Sequence, residues 1–128
     1  MPIEYQIDHT RRLVSAWASG KPTAEEIFKY QRDVWSLPEI KGYNELIDMT
    51  NVEQIVSPTS NKIRQLSVLS ASMDDKITPT KFAIVAPRDL AYGLGRMYET
   101  FRQLNKRSTK EVSVFRSMQE ALEWVGKK

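Results

Sequence analysis

The sequence predicts an α/β fold, a mixed five-stranded sheet whose elements run in the order β-β-α-β-α-β-α-β-α. Three observations predict it. Two segments near the N-terminus alternate apolar and polar residues with the period of two that wets one strand face and buries the other. Phe82 to Ala86 is apolar on both faces, the pattern of a strand covered on both sides. Helix-start signals stand at Thr23, at Ser57 to Ser60 and at Ser117, each followed by apolar residues at helical spacing.

Ile3, Tyr5 and Ile7 alternate with Glu4, Gln6 and Asp8, which makes Ile3 to Asp8 an edge strand. Asp8 to Arg11 supplies a polar turn. Leu13 to Ser19 then alternates Leu13, Ser15, Trp17 and Ser19 against Val14, Ala16 and Ala18, and pairs back as a hairpin. Thr23 and Glu26 have the spacing of a capping box, in which hydroxyl and carboxylate each satisfy a free backbone N–H. The helix they open carries Ile27, Tyr30, Gln31 and Val34 on one stripe and is ended by Pro38 and Gly42. Asn44 to Met49 is the third strand. A second helix, capped by Ser57, Thr59 or Ser60, runs to about Met73 with Ile63 and Leu66 inward, and Ser67 and Ser70 among them for close packing.

Asp74, Asp75 and Pro79 break the chain before the central strand at Phe82 to Ala86. The third helix carries Leu90, Leu94, Met97, Tyr98, Phe101 and Leu104 as its apolar stripe, and its basic end, Arg102, Lys106 and Arg107, complements the helix dipole. Val112, Val114 and Arg116 alternate with Ser113 and Phe115 in the fifth strand. Ser117 caps a last helix with Met118, Ala121, Leu122 and Val125 inward, and Gly126 stops it. With right-handed crossovers and sequential strand order, most helices fall on one face. Val14, Ala16, Ala18, Val112 and Val114 suit that face. Leu13, Ser15, Trp17, Ser113 and Phe115 then share the other, a half-polar face with two large rings, which makes Trp17 and Phe115 the candidate interface residues for a homodimer or an apolar ligand.

The 128 residues amount to one domain, 1–128, without an internal repeat or low-complexity tract. A chain of this length buries about two thirds of the surface its unfolded form exposes. It contains no cysteine, which excludes disulfides and thiolate chemistry and fits a reducing compartment. No run reaches the roughly 18 apolar residues of a membrane span, and the acidic N-terminus is unlike a signal peptide. The expectation is a soluble, cytoplasmic protein. Lysine and arginine number 19 against 16 acids, a net charge of +3 with no basic arm, which argues against nucleic acid as a partner.

Gly93 and Gly95 in AYGLGRM admit two readings, a phosphate cradle or close packing of a helix on its neighbour; a dinucleotide fingerprint would need glycine or alanine where Tyr98 stands. Ser19-Gly20-Lys21 looks like part of a phosphate-binding loop, but Pro22 interrupts the pattern. Arg96 is either a surface arginine or, with Arg88 from the strand-helix turn, an anion clamp, since the arginine fork suits carboxylate and phosphate. His9, the single histidine, lies in the hairpin turn, away from the strand ends where a nucleophile would sit. Asp74 and Asp75 read as helix terminators and not as a metal site. Asp48 ends a strand at the functional edge without a second acid near it in sequence. No cofactor and no metal are expected.

The element order resembles the STAS fold, and most closely its SpoIIAA-like (STAS/Sec14-type) single-domain bacterial branch. The segments that carry the resemblance are LIDMTNVEQIVSPTS (Leu46 to Ser60), AIVAPRDLAYGLGRMYE (Ala83 to Glu99) and VSVFRSMQEALEWV (Val112 to Val125). It implies kinship with Sec14-type lipid-binding domains. It also implies a candidate phosphosite, since in anti-anti-sigma members the loop after the third strand holds a phosphorylated serine whose position falls on Ser57. Val56, Pro58 and Thr59 depart from that motif. The leading expectation is a non-catalytic regulatory or ligand-binding module for a small anionic or lipid-like ligand, or a protein partner, with self-association. Its alternatives are an anti-anti-sigma-type phospho-switch and a small enzyme. In either ligand-binding or enzyme form the site lies at the C-terminal edge of the strands, with Asp48, Ser57, Arg88 and Arg96.

Overall fold

Parallel strands added in sequence order through right-handed crossovers put every crossover helix on the same face of a sheet. The computed structural model, which describes residues 3–56 and 58–126, has that arrangement. Strands β1 (Ile3–Asp8), β2 (Leu13–Gly20), β3 (Asn44–Val52), β4 (Thr80–Val85) and β5 (Lys110–Phe115) lie side by side in chain order. β1 runs antiparallel to β2, and the remaining neighbours are parallel. Helices α1 (Ala24–Trp35), α2 (Ser60–Met73) and α3 (Asp89–Leu104) form the crossovers, and α4 (Met118–Val125) closes the chain. A short 3-10 turn, Pro38–Ile40, separates α1 from β3. The order and the mixed five-stranded sheet are those the sequence predicts. No helix among the described residues is long and apolar enough to cross a membrane.

The caps work as their chemistry demands. Thr23 Oγ1 accepts from Glu26 N at 3.1 Å while Glu26 Oε1 accepts from Thr23 N at 3.0 Å. Thr59 Oγ1 accepts from Lys62 N at 3.2 Å, which selects it among the three predicted caps of α2. Ser117 Oγ accepts from Glu120 N at 3.1 Å at the start of α4. Gly20, at φ +69, turns the chain out of β2 in the left-handed region that disfavours any side chain, and its carbonyl accepts from Glu53 N at 2.8 Å.

Strand alternation divides the interior in two. Val14, Ala16, Ala18, Ile47, Ile84, Val112 and Val114 face α1, α2 and α3. Leu13, Leu46, Ala83 and Val85 face α4, packing on Ala121 and Val125. β4 thus feeds both cores, as its doubly apolar sequence predicts. The face given to Trp17 and Phe115 is only partly bare. Phe115 lies 5.4 Å from the Trp124 ring of α4, which covers that side, whereas Trp17 is 39% exposed with its indole N–H donating to Glu4 Oε2 at 3.0 Å.

Helix α3 is rotated from the stripe read in the sequence. Its buried residues are Ala91, Gly95, Tyr98 and Arg102, while Leu90 is 56% and Leu104 76% exposed. Gly95 is the reason. A Cβ there would sit 3.2 Å from both Cγ atoms of Val114, tighter than such contacts usually are, so glycine lets the helix settle this close to β5 without displacing Val114. Gly93 does no such thing, since a Cβ at that position meets nothing within 4 Å. Gly93→Ala is therefore expected to raise stability by about 1 kcal/mol through helix propensity alone. Gly95→Ala, forced against Val114, is expected to lose that gain, and paired thermal melts of the two variants check the contrast.

Candidate functional site

Helices α1, α2 and α3 enter the molecule from loops at the C-terminal edge of the sheet, and their first turns diverge enough to leave a cavity of about 90 Å³ against the strands. Ile27 of α1, Ile63 and Leu66 of α2, and Ala91, Leu94 and Gly95 of α3 form its roof. Ile47, Met49, Phe82 and Ile84 form its floor, and Ile55 from the loop after β3 closes one side. The side chains come from the inward positions of each element, which is why the lining is apolar.

Four polar residues, Tyr30, Gln31, Glu45 and Tyr98, also reach this lining. All are occupied elsewhere. Tyr30 Oη donates to Glu45 Oε2 at 2.9 Å and accepts from Trp35 Nε1 at 3.1 Å. Tyr98 Oη accepts from Arg102 Nη1 at 2.7 Å, and Gln31 Oε1 accepts from Ser70 Oγ at 2.9 Å. Burial, with Glu45 beside it, holds the Tyr30 phenol well above its usual range. Burial also raises Tyr98, although Arg102 opposes the rise. Both hydroxyls stay protonated at any physiological pH.

Behind these residues stand two buried ion pairs that the sequence reading missed. Glu45 Oε1 lies 3.2 Å from Lys110 Nζ, with the two side chains 4% and 8% exposed. Asp74 Oδ2 lies 2.5 Å from Arg102 Nη2, at 4% and 2%. Arg102, read in the sequence as part of the basic helix end that complements the dipole, is thus a core residue. Asp74 ends α2 as predicted, and its carboxylate also anchors that core arginine.

Of the predicted site residues only Arg88 stands at a strand-helix turn of the C-terminal edge; β3 runs on to Val52, so Asp48 lies within the strand it was expected to end, and Arg96 lies midway along α3. Asp48 lies on the α4 side of β3, where its Oδ1 accepts from the backbone N–H and the hydroxyl of Thr50, at 3.0 and 2.5 Å. Arg88 precedes α3 and is exposed, with Nη1 donating to Val52 O at 3.5 Å. Arg96 is exposed and 3.9 Å from Glu99 Oε1. None of these three contacts another. Ser57 lies outside the described residues. Asp48 is therefore on the sheet face opposite the cavity, whereas Arg88 and Arg96 flank its lining residues Ala91 and Gly95 along the chain. Arg116, read in the sequence as a residue of the fifth strand, lies just past the end of β5 and fixes the turn before α3: Nη1 donates to Pro87 O at 3.0 Å and to Asp89 Oδ1 at 2.6 Å, with the guanidinium 4.0 Å from the Tyr92 ring centre. His9 stays in its hairpin turn, where Nδ1 shares a hydrogen bond of 2.8 Å with Tyr43 Oη.

No protein-family model matches the sequence, and no curated protein matches it. Among solved structures, the chain is similar to an uncharacterised protein of the DUF3478 family from Shewanella loihica PV-4, described as having a SpoIIAA-like fold. The two are 20% identical over 96% of this chain and 93% of the other, with a TM-score of 0.63. The chain has a SpoIIAA-like fold, in agreement with the resemblance read from its sequence.

Proposed function

We propose that this SpoIIAA-like chain is a ligand-binding module and not an enzyme, and that its ligand is a small amphipathic acid. The apolar end enters the cavity beneath α1, α2 and α3, and the anionic end stays at the rim with Arg88. One observation carries the reading: every polar group reaching that cavity already has a partner, so its surface offers a ligand nothing but apolar contact. Apolar cavities of this kind stay dry and take up hydrocarbon. A volume of about 90 Å³ suits the end of a short chain and not a whole lipid tail. Arg88 supports the choice of an acid, because its guanidinium is exposed and has one long hydrogen bond, to Val52 O.

Straight-chain carboxylates from butanoate to octanoate, titrated by calorimetry, test this. Saturable binding is expected to strengthen about fourfold for each added methylene until the cavity is full. Ala91→Phe, which fills the cavity, is expected to abolish binding while circular dichroism shows a folded protein. Arg88→Ala is expected to weaken every acid alike and leave the matching alcohols unaffected. Absence of saturable binding across the series, or an Ala91→Phe protein that binds as the wild type does, overturns the reading.

A further inference from the structure

A second cavity, of about 210 Å³, opens at the other edge of the sheet, beneath the end of α1 and the turn Pro38–Ile40. Trp35, Leu37, Ile40 and Tyr43 give it an apolar side, Lys41, Asp74 and Asp75 line it as well, Thr80 and Lys110 stand at the starts of β4 and β5, and it is larger than the roughly 150 Å³ that accommodate a benzene ring. Lys110 is unusual for a lysine. Its Nζ is 3.5 Å from the centre of the Trp35 ring and 3.2 Å from Glu45 Oε1, and its side chain is almost wholly buried. Glu45 and the Trp35 face take up part of the ammonium, and the rest of it borders the cavity. Trp35 donates to Tyr30 Oη, which in turn donates to Glu45 Oε2, so ring and carboxylate are both fixed. Burial lowers the Lys110 pKa, with Glu45 and Asp74 opposing and Arg102 reinforcing the shift.

We propose that Lys110 is a nucleophilic amine, poised by Glu45 and Trp35, and that this second cavity captures a small aldehyde or ketone as an imine. Glu45 accepts a proton from the ammonium, which frees the nitrogen lone pair. The nitrogen bonds to the carbonyl carbon, the C=O π pair moves to oxygen, and the oxygen takes a proton from the nitrogen to give a carbinolamine. Glu45 returns its proton to that hydroxyl, which leaves as water as the nitrogen lone pair forms the C=N bond. The sum is ammonium plus carbonyl compound giving iminium plus water, with no oxidant or reductant. Desolvated lysines beside a proton acceptor are suited to this chemistry. The apolar side, Trp35, Leu37, Ile40 and Tyr43, fits the ring or branch of a compact carbonyl compound, and Lys41, Asp74 and Asp75 leave room for polar substituents.

Benzaldehyde trapped by cyanoborohydride on the intact chain, followed by peptide mass mapping over time, tests the proposal. Lys110 is expected to be benzylated about tenfold faster than the exposed Lys21 and Lys106. Glu45→Gln, checked by circular dichroism, is expected to slow labelling of Lys110 and leave Lys21 and Lys106 at their wild-type rates. Wild-type Lys110 labelled no faster than those two refutes the nucleophile. A folded Glu45→Gln protein with an unchanged Lys110 rate refutes Glu45 as its proton acceptor.

Discussion

Replacing Asp74 with alanine is expected to remove about 3–5 kcal/mol of folding stability, the cost of leaving one member of a buried ion pair without the other. Asp74 Oδ2 is a shared acceptor: Arg102 Nη2 at 2.5 Å, Thr109 N at 2.9 Å and Lys110 N at 3.2 Å all converge on it. One oxygen therefore ties the end of α2 to α3 and to the start of β5. Burial works against the Arg102 charge, but Tyr98 and Asp74 outweigh it and hold the guanidinium above its ordinary pKa, so the arginine cannot escape by neutralising. In the variant it remains charged, with Tyr98 Oη at 2.7 Å and Ser108 Oγ at 2.8 Å as its remaining acceptors. Against a total stability of about 5–15 kcal/mol, that loss is large. Urea denaturation should show a midpoint lower by about 2 M with an unchanged slope. The double variant Asp74→Leu/Arg102→Leu is expected to recover only part of it: removing both charges removes the cost of burying them, but the Thr109 and Lys110 N–H groups still lack their acceptor. An Asp74→Ala midpoint within 0.3 M of the wild type, about the scatter of such measurements, would show that Arg102 finds water instead.

The fold was legible because its signals are local. A capping box needs only Thr23 and Glu26, a strand face only alternate residues, and Phe82 to Val85 announces a strand covered on both faces by being apolar, although β4 is interior and the middle place falls to β3. Charges in the core were harder, since a basic residue at a helix end or an acid in a short strand has an ordinary surface explanation. Yet position carried the information. Glu45 is two residues before Ile47 and Lys110 two before Val112, so the alternation that buries the apolar residues turns both charges inward on the same face. Arg102 is four residues after Tyr98 and falls on the buried side of α3 for the same reason. What no local pattern reveals is the rotation of α3, because it depends on Gly95 meeting Val114 across 19 positions of sequence. The apolar cavity follows from the same three-helix packing, and of the residues first singled out at the sheet edge Arg88 alone stands there, since β3 runs on past Asp48 to Val52 and Arg96 lies midway along α3.

Lys110→Met is expected to destabilise the chain by about 3–5 kcal/mol near neutral pH and, unlike the Asp74 change, to reverse the slope of stability against pH. In the wild type the Lys110 pKa is lowered, burial being the main cause. From that lowered value up to about 10.4 the unfolded chain binds more protons than the folded one, so this group's contribution makes stability rise with pH across that window. Tyr30 and Tyr98, both raised, act in the opposite sense only above about 10. With methionine at 110 the rise disappears. Among the described residues, Glu45 then has the Tyr30 hydroxyl as its hydrogen-bond donor and no cation within 4 Å. Burying a carboxylate without its counter-charge disfavours its charged form. Stability of Lys110→Met should accordingly fall as pH rises from 5 toward 8, and part of its deficit should vanish on acidification. Urea midpoints of wild type and variant, measured from about pH 5 to about pH 10, compare the two slopes directly. Parallel curves would mean that solvent reaches Glu45 through the second cavity, and would place that cavity's water, and not Lys110, in charge of the carboxylate.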